Sequence, residues 1–337
     1  MAISIKNAIL LLLISIGLTG SCSGKNAREK SEIAENHVAL ELKVPSTFRF
    51  VAFGDTRFHD PADTEPANPA IRQALVAAID KQNPAFISIT GDIVYNGENV
   101  KDWQVWDSET AVWREHKIPI YPALGNHDLK GNLQSALGNY FARFPEIHDS
   151  RFYSVSIGNT LMLVLDSSLD EVAGPQSEWL RSELDHLSPS VDFVFLTFHH
   201  PPYTSSSDEK VYGGGHSARA TEQALAKVLE ERQQHLRARL IVFNGHVHNY
   251  EHHEHGGVTY FVTGGGGAHP YRIERHADDL YKDKPNDNGV NYHYLLVDVD
   301  HNQLTITMHR VELKDGKEVW SQPDTVTITA NIQSLRK

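Results

Sequence analysis

Cysteine is almost absent from this chain, since Cys22 is the only one among 337 residues. A single cysteine excludes any disulfide within the chain and leaves a thiol-dependent mechanism with no other nucleophile. The apolar run over residues 8–18 is shorter than the roughly 20 residues that cross a bilayer as a helix. The sequence therefore argues against a disulfide-stapled domain and against a transmembrane helix at that run.

An excess of positive charge is also lacking, because 31 lysines and arginines face 43 aspartates and glutamates, for a net charge of −12. Proteins that bind polymeric DNA or RNA usually carry a basic patch, and none is visible here. A nucleic-acid polymer is thus excluded as a partner. A small phosphorylated substrate stays compatible with this charge if metal ions supply the local positive field. Histidine, by contrast, is plentiful at 20 residues, which hints at metal chemistry.

The N-terminal segment has the order of an export signal. Lys6 precedes the apolar run, and small residues lead from it into Cys22. This order resembles the signal peptide of bacterial lipoproteins, in which the cysteine becomes the new N-terminus and carries the lipid. The resemblance implies a signal peptide over residues 1–21, a lipid on Cys22 and a polar tether over residues 22–43. An ordinary secretory signal is the alternative, because Thr19 stands where an aliphatic residue is usual.

This N-terminus gives an expectation for location. We expect an exported lipoprotein of a bacterial cell envelope, held to the membrane through its lipid anchor on the periplasmic side or in the outer membrane.

Residues 44–330 contain no repeat, linker or low-complexity tract, and we interpret them as one domain. The patterns predict strands at 48–53, 86–90, 120–124, 152–157, 160–165, 191–197, 240–243, 259–262, 294–299, 304–309 and 325–329. Helices are predicted from a cap at Asn68 to residue 82, over 102–116, around 180–187, and after a cap at Ser217. Alternating strands and helices followed by strands alone predict an α/β fold with mixed sheets.

Polar side chains come directly after five of these strands. They are Asp55, then Asp92 with Tyr95, then Asn126, then His199, and finally His246 with His248. Because ligands bind at the carboxyl ends of strands in open α/β sheets, we expect these side chains to converge on one site. Carboxylate, amide oxygen, imidazole and phenolate are ligands for transition metals, and a shared carboxylate brings two ions to roughly 3.5–4 Å.

These five blocks, each after a predicted strand, resemble the signature blocks of the calcineurin-like metallophosphoesterases. The tyrosine of the second block and the run Gly-His-Val-His-Asn-Tyr-Glu over residues 245–251 resemble the purple acid phosphatase branch. The resemblance implies a four-layer α/β/β/α sandwich with two mixed sheets. It also implies that one ion is bound by Asp55, Asp92, Tyr95 and His248, and a second by Asp92 as a bridge, Asn126, His199 and His246.

The same resemblance implies a function. A dinuclear centre, with iron plus zinc or manganese, would cleave phosphate esters by attack of a metal-bound hydroxide, while His127 would face the substrate and assist the leaving group. We expect a phosphomonoesterase. The alternatives are a phosphodiesterase that acts on a cyclic nucleotide or a phospholipid head group, and a catalytically silent binding lipoprotein, which would be expected to lack some ligands.

Three residues at the site carry open alternatives. Arg57 stands where the family has glycine or histidine, and it would either bind a phosphate oxygen or form a salt bridge. Tyr95 would either ligate or pack against the sheet. His216, after Gly213-Gly214-Gly215, would either face the substrate or have no catalytic part.

Other conspicuous groups are given structural interpretations. Trp103, Trp106 and Trp113 are expected to pack in the core, and the cluster of His252, His253 and His255 is expected in a solvated turn. The run over residues 264–267 lacks the lysine and serine or threonine of a P-loop, and is expected to bring the backbone close to the metal centre.

Overall fold

Five polar strand ends can meet only if two sheets place their edges together, and the fold does so. The computed structural model describes residues 37–170, 172–207, 216–281 and 291–331. Cys22, the predicted signal peptide, most of the predicted tether and Gly213-Gly214-Gly215 lie outside the described residues. Within the described ranges, no helix is long and apolar enough to cross a membrane.

Fourteen strands in the described residues form two mixed sheets. Sheet A has the order β1-β5-β6-β7-β8-β10-β9, with β1 His37–Leu42, β5 Phe152–Ile157, β6 Thr160–Val164, β7 Phe193–Thr197, β8 Arg239–Asn244, β9 Tyr250–His255 and β10 Val258–Thr263. Sheet B has the order β13-β12-β11-β2-β3-β4, with β14 paired to β12. Its strands are β2 Thr47–Phe53, β3 Ile87–Ile89, β4 Ile120–Pro122, β11 Tyr292–Asp300, β12 Gln303–Lys314, β13 Lys317–Ser321 and β14 Thr325–Thr329.

Each sheet combines a block of parallel strands with antiparallel pairs. Strands β2, β3 and β4 are parallel neighbours, as are β6, β7, β8 and β10. The described helices are α1 Pro69–Lys81, α2 Val100–Glu109, α3 Ala111–Glu115, α4 Leu133–Phe141, α5 Gly174–Asp185 and α6 Ala220–Gln233, with a short 3₁₀ turn at Pro145–Ile147.

The period-two alternation of buried strands explains the layers. In β7, Phe195 lies in the main apolar cluster and its ring is 4.9 Å from that of Phe50 on β2, so the two sheets pack face to face. Val194 and Leu196 point to the other face, where they join the apolar residues of α5 and α6. On sheet B, the ring of Phe53 packs edge-on against that of Trp113 in α3, with 6.1 Å between the ring centroids. The predicted α/β/β/α sandwich with two mixed sheets is therefore confirmed.

Local signals placed several elements correctly. Asn68 accepts a hydrogen bond from the Ile71 backbone N–H and caps α1, with Pro69 in the first turn. All three predicted core tryptophans are buried. The helix predicted over 102–116 is two helices, because Thr110 bonds its hydroxyl back to the Trp106 carbonyl at the break. Ser217 does not cap α6, which begins at Ala220.

Two further differences concern strands. Residues 37–42, predicted as part of the tether, form the edge strand β1, which pairs in parallel with β5. The histidine cluster predicted as a solvated turn lies on β9, where His252 and His253 are buried, so that prediction is wrong. In β1, Val38, Leu40 and Leu42 alternate with more exposed residues and pack against the core, a local signal that the tether prediction overlooked. Strand β9 lacks such alternation, and its pairing depends on other parts of the chain. Strand β13 and helix α4 were also not predicted.

Candidate metal centre

The five predicted strand ends converge where the carboxyl ends of the parallel strands of both sheets meet. Sheet B contributes the turns after β2, β3 and β4, and sheet A contributes the turns after β7 and β8. These turns carry Asp55, Asp92, Asn126, His199 and His246. The convergence follows from parallel strands, whose carboxyl ends lie on the same edge of a sheet.

The backbone at this site is held in a conformation that ordinary residues avoid. Asp55, Asp92 and His246 have φ angles of 58°, 53° and 69°, and Arg57 has 46°. Such left-handed conformations cost free energy and persist where the surrounding structure enforces them, as in functional sites. Gly91 has a φ of +98°, and a Cβ there would lie 2.8 Å from His199 Nδ1. Close approach of these turns therefore requires glycine at position 91.

Four atoms that could each donate a lone pair to a metal ion, here called donor atoms, come from both sheets and surround one position. His199 Nε2 lies 3.1 Å from Asn126 Oδ1, 3.4 Å from Asp92 Oδ1 and 3.3 Å from His246 Nδ1. His246 Nδ1 also lies 3.1 Å from Asn126 Oδ1. Ligand atoms that share an ion at about 2.1 Å are separated by about 3.0–3.4 Å in common geometries. The spacing of this first donor set fits one bound cation.

The hydrogen bond made by His199 supports the same interpretation. His199 Nδ1 donates to the Thr90 carbonyl, which can only accept, so Nε2 of a neutral His199 carries a lone pair. That lone pair faces the oxygen atoms of Asn126 and Asp92, which are also acceptors. Clustered acceptors repel one another unless a cation lies between them, and a metal ligand is usually oriented by such an outer hydrogen bond.

A second donor set lies beside the first. His248 Nδ1 donates to the His269 carbonyl at 2.5 Å, and its Nε2 lies 3.5 Å from Asp55 Oδ1. Both facing atoms are buried and have no hydrogen-bond partner. Unpaired buried polar atoms are rare because they cost free energy. These two orphaned atoms therefore fit a second cation, with Asp92 between the two sets.

Burial controls the charges of these groups. It raises the pKa of Asp55 to about 7, and it holds the pKa of His246 and of His248 well below the usual value. Burial by itself would raise the pKa of Asp92, yet the positive charge of Arg57 and the hydrogen bond from the His127 backbone N–H help to lower it. The centre thus combines neutral imidazoles with an ionised carboxylate, which is the protonation that metal ligation needs.

Asp92 also has a cationic partner. Arg57 donates to Asp92 Oδ2 over distances of 3.2 and 3.4 Å, while Asp92 Oδ1 faces the first donor set. Of the two interpretations of Arg57, the salt bridge is the one present in this structure. The arginine is therefore held at the edge of the centre, where it also interacts with Tyr271.

Tyr95 packs against two histidines and a lysine beside the candidate centre. Its ring lies 5.3 Å from that of His127 and 5.8 Å from that of His59, and Lys130 Nζ lies 4.4 Å from its centroid. Within the part of the chain that the structure describes, its hydroxyl makes no hydrogen bond to Asp55 or His248. Ligation by Tyr95 stays a prediction.

Three further histidines, His127, His200 and His216, lie around the two donor sets. His127 donates its backbone N–H to Asp92 Oδ1 and its Nδ1–H to the Tyr95 carbonyl. His216 hydrogen-bonds through Nε2 to the Tyr271 hydroxyl at 2.7 Å, with its ring 4.2 Å from that of His246. Burial lowers the pKa of each to about 4. His200 bonds through Nδ1 to Ser167, its ring lies 4.3 Å from that of His246, and one of its ring nitrogens lies within 4.8 Å of those of His199 and His246.

Two residues of the site were not predicted from the sequence. The ring of Tyr271 stacks on that of His248 at 4.2 Å, and no local signal marks it. Asp128 accepts backbone N–H bonds from Ile93, Val94 and Gly125, and so joins two of the ligand turns. The sequence did offer a signal for Asp128, because this residue directly follows His127, which was predicted to lie at the site. The approach of the 264–267 run is confirmed, since a Cβ on Gly264 would lie 2.9 Å from Asp55 Oδ2.

Comparison with known proteins agrees with this geometry. The profile of the family described as calcineurin-like phosphoesterase matches residues 48–250. Purple acid phosphatase 15 of Arabidopsis thaliana is 28% identical over 179 residues, which are 48% of this chain and 32% of that protein. The chain thus spans about a third of the length of this relative.

Solved structures share the fold. The purple acid phosphatase PPD1 from yellow lupin (Lupinus luteus) seeds superposes with a TM-score of 0.64 at 18% identity, over 86% of this chain and 55% of that one. GAP50, the anchor in the inner membrane complex of Plasmodium, superposes with a TM-score of 0.57 at 17% identity, over 86% of this chain and 90% of that one. A dimetal phosphatase from Danio rerio superposes with a TM-score of 0.53 at 14% identity, over 84% of this chain and 99% of that one. Family profile, fold and convergent donor sets agree: the chain belongs to the calcineurin-like phosphoesterase family.

Proposed function

We propose that this protein is a metal-dependent phosphoesterase that hydrolyses small phosphate monoesters at the candidate metal centre. One observation carries the proposal, namely two adjacent sets of lone-pair atoms that face each other without hydrogens to share, one of them with two buried, unpaired atoms. Two ions held there would acidify a bound water and neutralise the phosphoryl oxygens. The purple acid phosphatase relatives support monoesters as the substrate class.

The residues around the donor sets would handle the ester. Arg57 lies beside Asp92 and provides a planar cation that can bind phosphate oxygens. His127 keeps its Nδ1 hydrogen on the Tyr95 carbonyl, which leaves Nε2 for contact with the leaving group. His216 and Tyr271 hydrogen-bond to each other beside His246 and His248, and they would orient the ester on that side.

The metal assay tests the proposal. The purified protein would be assayed with p-nitrophenyl phosphate and bis(p-nitrophenyl) phosphate, before and after metal stripping, with iron, zinc and manganese added back. We expect monoester turnover that disappears on stripping and returns with iron plus zinc or manganese. Preference for the diester would favour a phosphodiesterase acting on a cyclic nucleotide or a phospholipid head group.

A silent binding lipoprotein is the remaining alternative. This alternative is retained because the same fold occurs in a Plasmodium protein described as an anchor. Folded protein that binds metal and turns over neither substrate would favour this alternative and contradict the hydrolase.

We also propose that the protein is exported and lipid-anchored through Cys22. The small residues before Cys22 and the apolar run support this location. Metabolic labelling with a radioactive fatty acid in a bacterial host tests it. We expect label on the wild type and none on Cys22→Ala, and label on neither protein would indicate an ordinary secretory signal.

A further inference from the structure

A second group of histidines lies on the edge strand of sheet A. His253 and His255 are two residues apart on β9, so both side chains are on the same face of the strand. The segment over 271–281 passes alongside and contributes Asp278. The three side chains each place one ligand atom within 4.8 Å of the others, and none of them belongs to the candidate metal centre.

The distances approach those of a bound ion. Asp278 Oδ2 lies 3.9 Å from His253 Nδ1 and 3.8 Å from His255 Nε2. Ligands of a tetrahedral zinc ion at about 2.1 Å are separated by about 3.4 Å. The Asp278 side chain is 50% exposed, so a small rotation can close this difference. His253 Nδ1 also lies 3.2 Å from the Asp278 carbonyl, a contact that coordination would replace.

His253 is oriented from its other side by a carboxylate. Its Nε2 lies 3.3 Å from Glu251 Oε2, and Glu251 is buried and bonded to the backbone of Ser205 and the hydroxyl of Thr204. A histidine that donates one ring N–H to a carboxylate presents its second nitrogen in a defined direction. That outer arrangement recurs in metal sites, where it raises the basicity of the ligating nitrogen.

His255 supplies the observation that points to a ligand. Its Nε2 is buried and has no hydrogen-bond partner, although it faces Asp278. Its ring is stacked on Tyr203 at 3.8 Å, and the Tyr203 hydroxyl is fixed by Glu230 at 2.6 Å. A buried, unsatisfied nitrogen costs free energy, and a ligand at this position would remove that cost.

We propose that His253, His255 and Asp278 bind a third divalent transition-metal ion, of which Zn²⁺ is the best match. Two imidazoles and one carboxylate suit zinc and leave a coordination position for water. The ion would tie the 271–281 segment to β9 through side chains, in addition to the backbone bond from Leu280 to His252. Because the same segment begins with Tyr271, the ion would also stabilise one wall of the candidate metal centre.

Zinc stoichiometry tests this site. Chelator-stripped protein would be titrated with Zn²⁺ in competition with a chromogenic chelator, for the wild type, His255→Ala and Asp278→Asn. We expect each variant to bind one equivalent fewer than the wild type. His235→Ala, which removes an exposed histidine outside both sites, should keep the wild-type stoichiometry.

The outcomes separate this site from the proposed function. Equal zinc stoichiometry in the wild type and both variants would overturn the proposal, and the contacts would then be a plain ion-pair network. Hydrogen exchange gives a second readout, because Zn²⁺ should slow exchange over 272–281 in the wild type and not in Asp278→Asn. Neither readout requires catalysis, so failure of the phosphoesterase assay leaves both comparisons interpretable.

Discussion

Two regions in which histidines cluster next to carboxylates, the strand ends and β9, differ in the partner of the second ring nitrogen. In the candidate metal centre, His199 and His248 donate Nδ1–H to backbone carbonyls. On β9, His253 instead meets the carboxylate of Glu251. A carbonyl fixes a neutral tautomer, whereas a carboxylate also stabilises the imidazolium. The hydrogen bonds of the histidines therefore suit metal ligation in one region and leave an ion-pair alternative in the other.

Burial adds to this difference. Asp55 and Asp92 are fully buried, and without a cation Asp55 Oδ1 has no hydrogen-bond partner, whereas Asp92 keeps its salt bridge to Arg57. Asp278 is half exposed and can be hydrated when no ion is bound. The comparison teaches that an empty site costs more where both carboxylates are buried, at the strand ends, than at the β9 cluster with its half-exposed Asp278.

The largest expected effect comes from Asp92→Asn, which removes the charge that both donor sets share. We expect kcat/KM for p-nitrophenyl phosphate to fall by well over about 100-fold, the upper cost of losing an outer partner. Metal content should fall in parallel, as measured by elemental analysis. Asp315→Asn, at an exposed turn with a positive φ that asparagine tolerates, is the control. Full activity in Asp92→Asn would contradict the assigned centre.

A third environment sharpens the comparison, because His293 is buried with both ring nitrogens satisfied. It bonds to the Asn291 carbonyl and the Thr263 hydroxyl, and burial lowers its pKa to about 4. A depressed histidine pKa contributes stability above the unfolded pKa of about 6.5, and this stability is lost as pH falls toward 4. The loss amounts to roughly 3 kcal/mol.

Urea unfolding of metal-free protein at pH 7 and pH 4.5 measures this loss. The wild type should lose more unfolding free energy over that interval than His293→Gln, by on the order of 2–3 kcal/mol. Parallel losses in the two proteins would show that His293 does not titrate with folding.

Glu251→Gln breaks the distinctive feature of the β9 region. If Glu251 orients His253 toward an ion, replacing its carboxylate by the glutamine amide should weaken Zn²⁺ binding at the β9 cluster by about 10- to 100-fold. The chelator-competition titration measures this affinity. Hydrolysis of p-nitrophenyl phosphate should change little, because Glu251 contacts none of the donor sets at the strand ends. Unchanged zinc affinity would assign Glu251 to its bonds with Thr204 and Ser205 alone.

The smallest effect is expected from Tyr271→Phe, which removes the hydroxyl that bonds to His216. A hydrogen bond contributes about 0.5–1.5 kcal/mol, so kcat/KM should fall by about 3- to 10-fold with metal content unchanged. Tyr294→Phe is the matched control, because it loses a hydroxyl bonded to Gln82 outside the site. Equal kcat/KM in both variants would exclude the hydroxyl of Tyr271 from substrate handling.

The sequence by itself determined the order of the elements and the identity of most donors at the strand ends. These features depend on local patterns: buried runs mark the strands, and short glycine turns place polar residues at their ends. Asp55, Asp92, Asn126, His199, His246 and His248 were named in this way, and all lie in the two donor sets. The cap at Asn68 is local in the same sense.

Only the tertiary structure decided which of these atoms meet and what surrounds them. Arg57 pairs with Asp92, Tyr271 stacks on His248, and Asp278 approaches His255 across the sheet edge. Each pair joins residues separated by 23 to 35 positions in the chain, beyond the reach of any local pattern. Strand β9 was missed for the same reason, because its polar residues become buried only when β10 and the 271–281 segment pack against them.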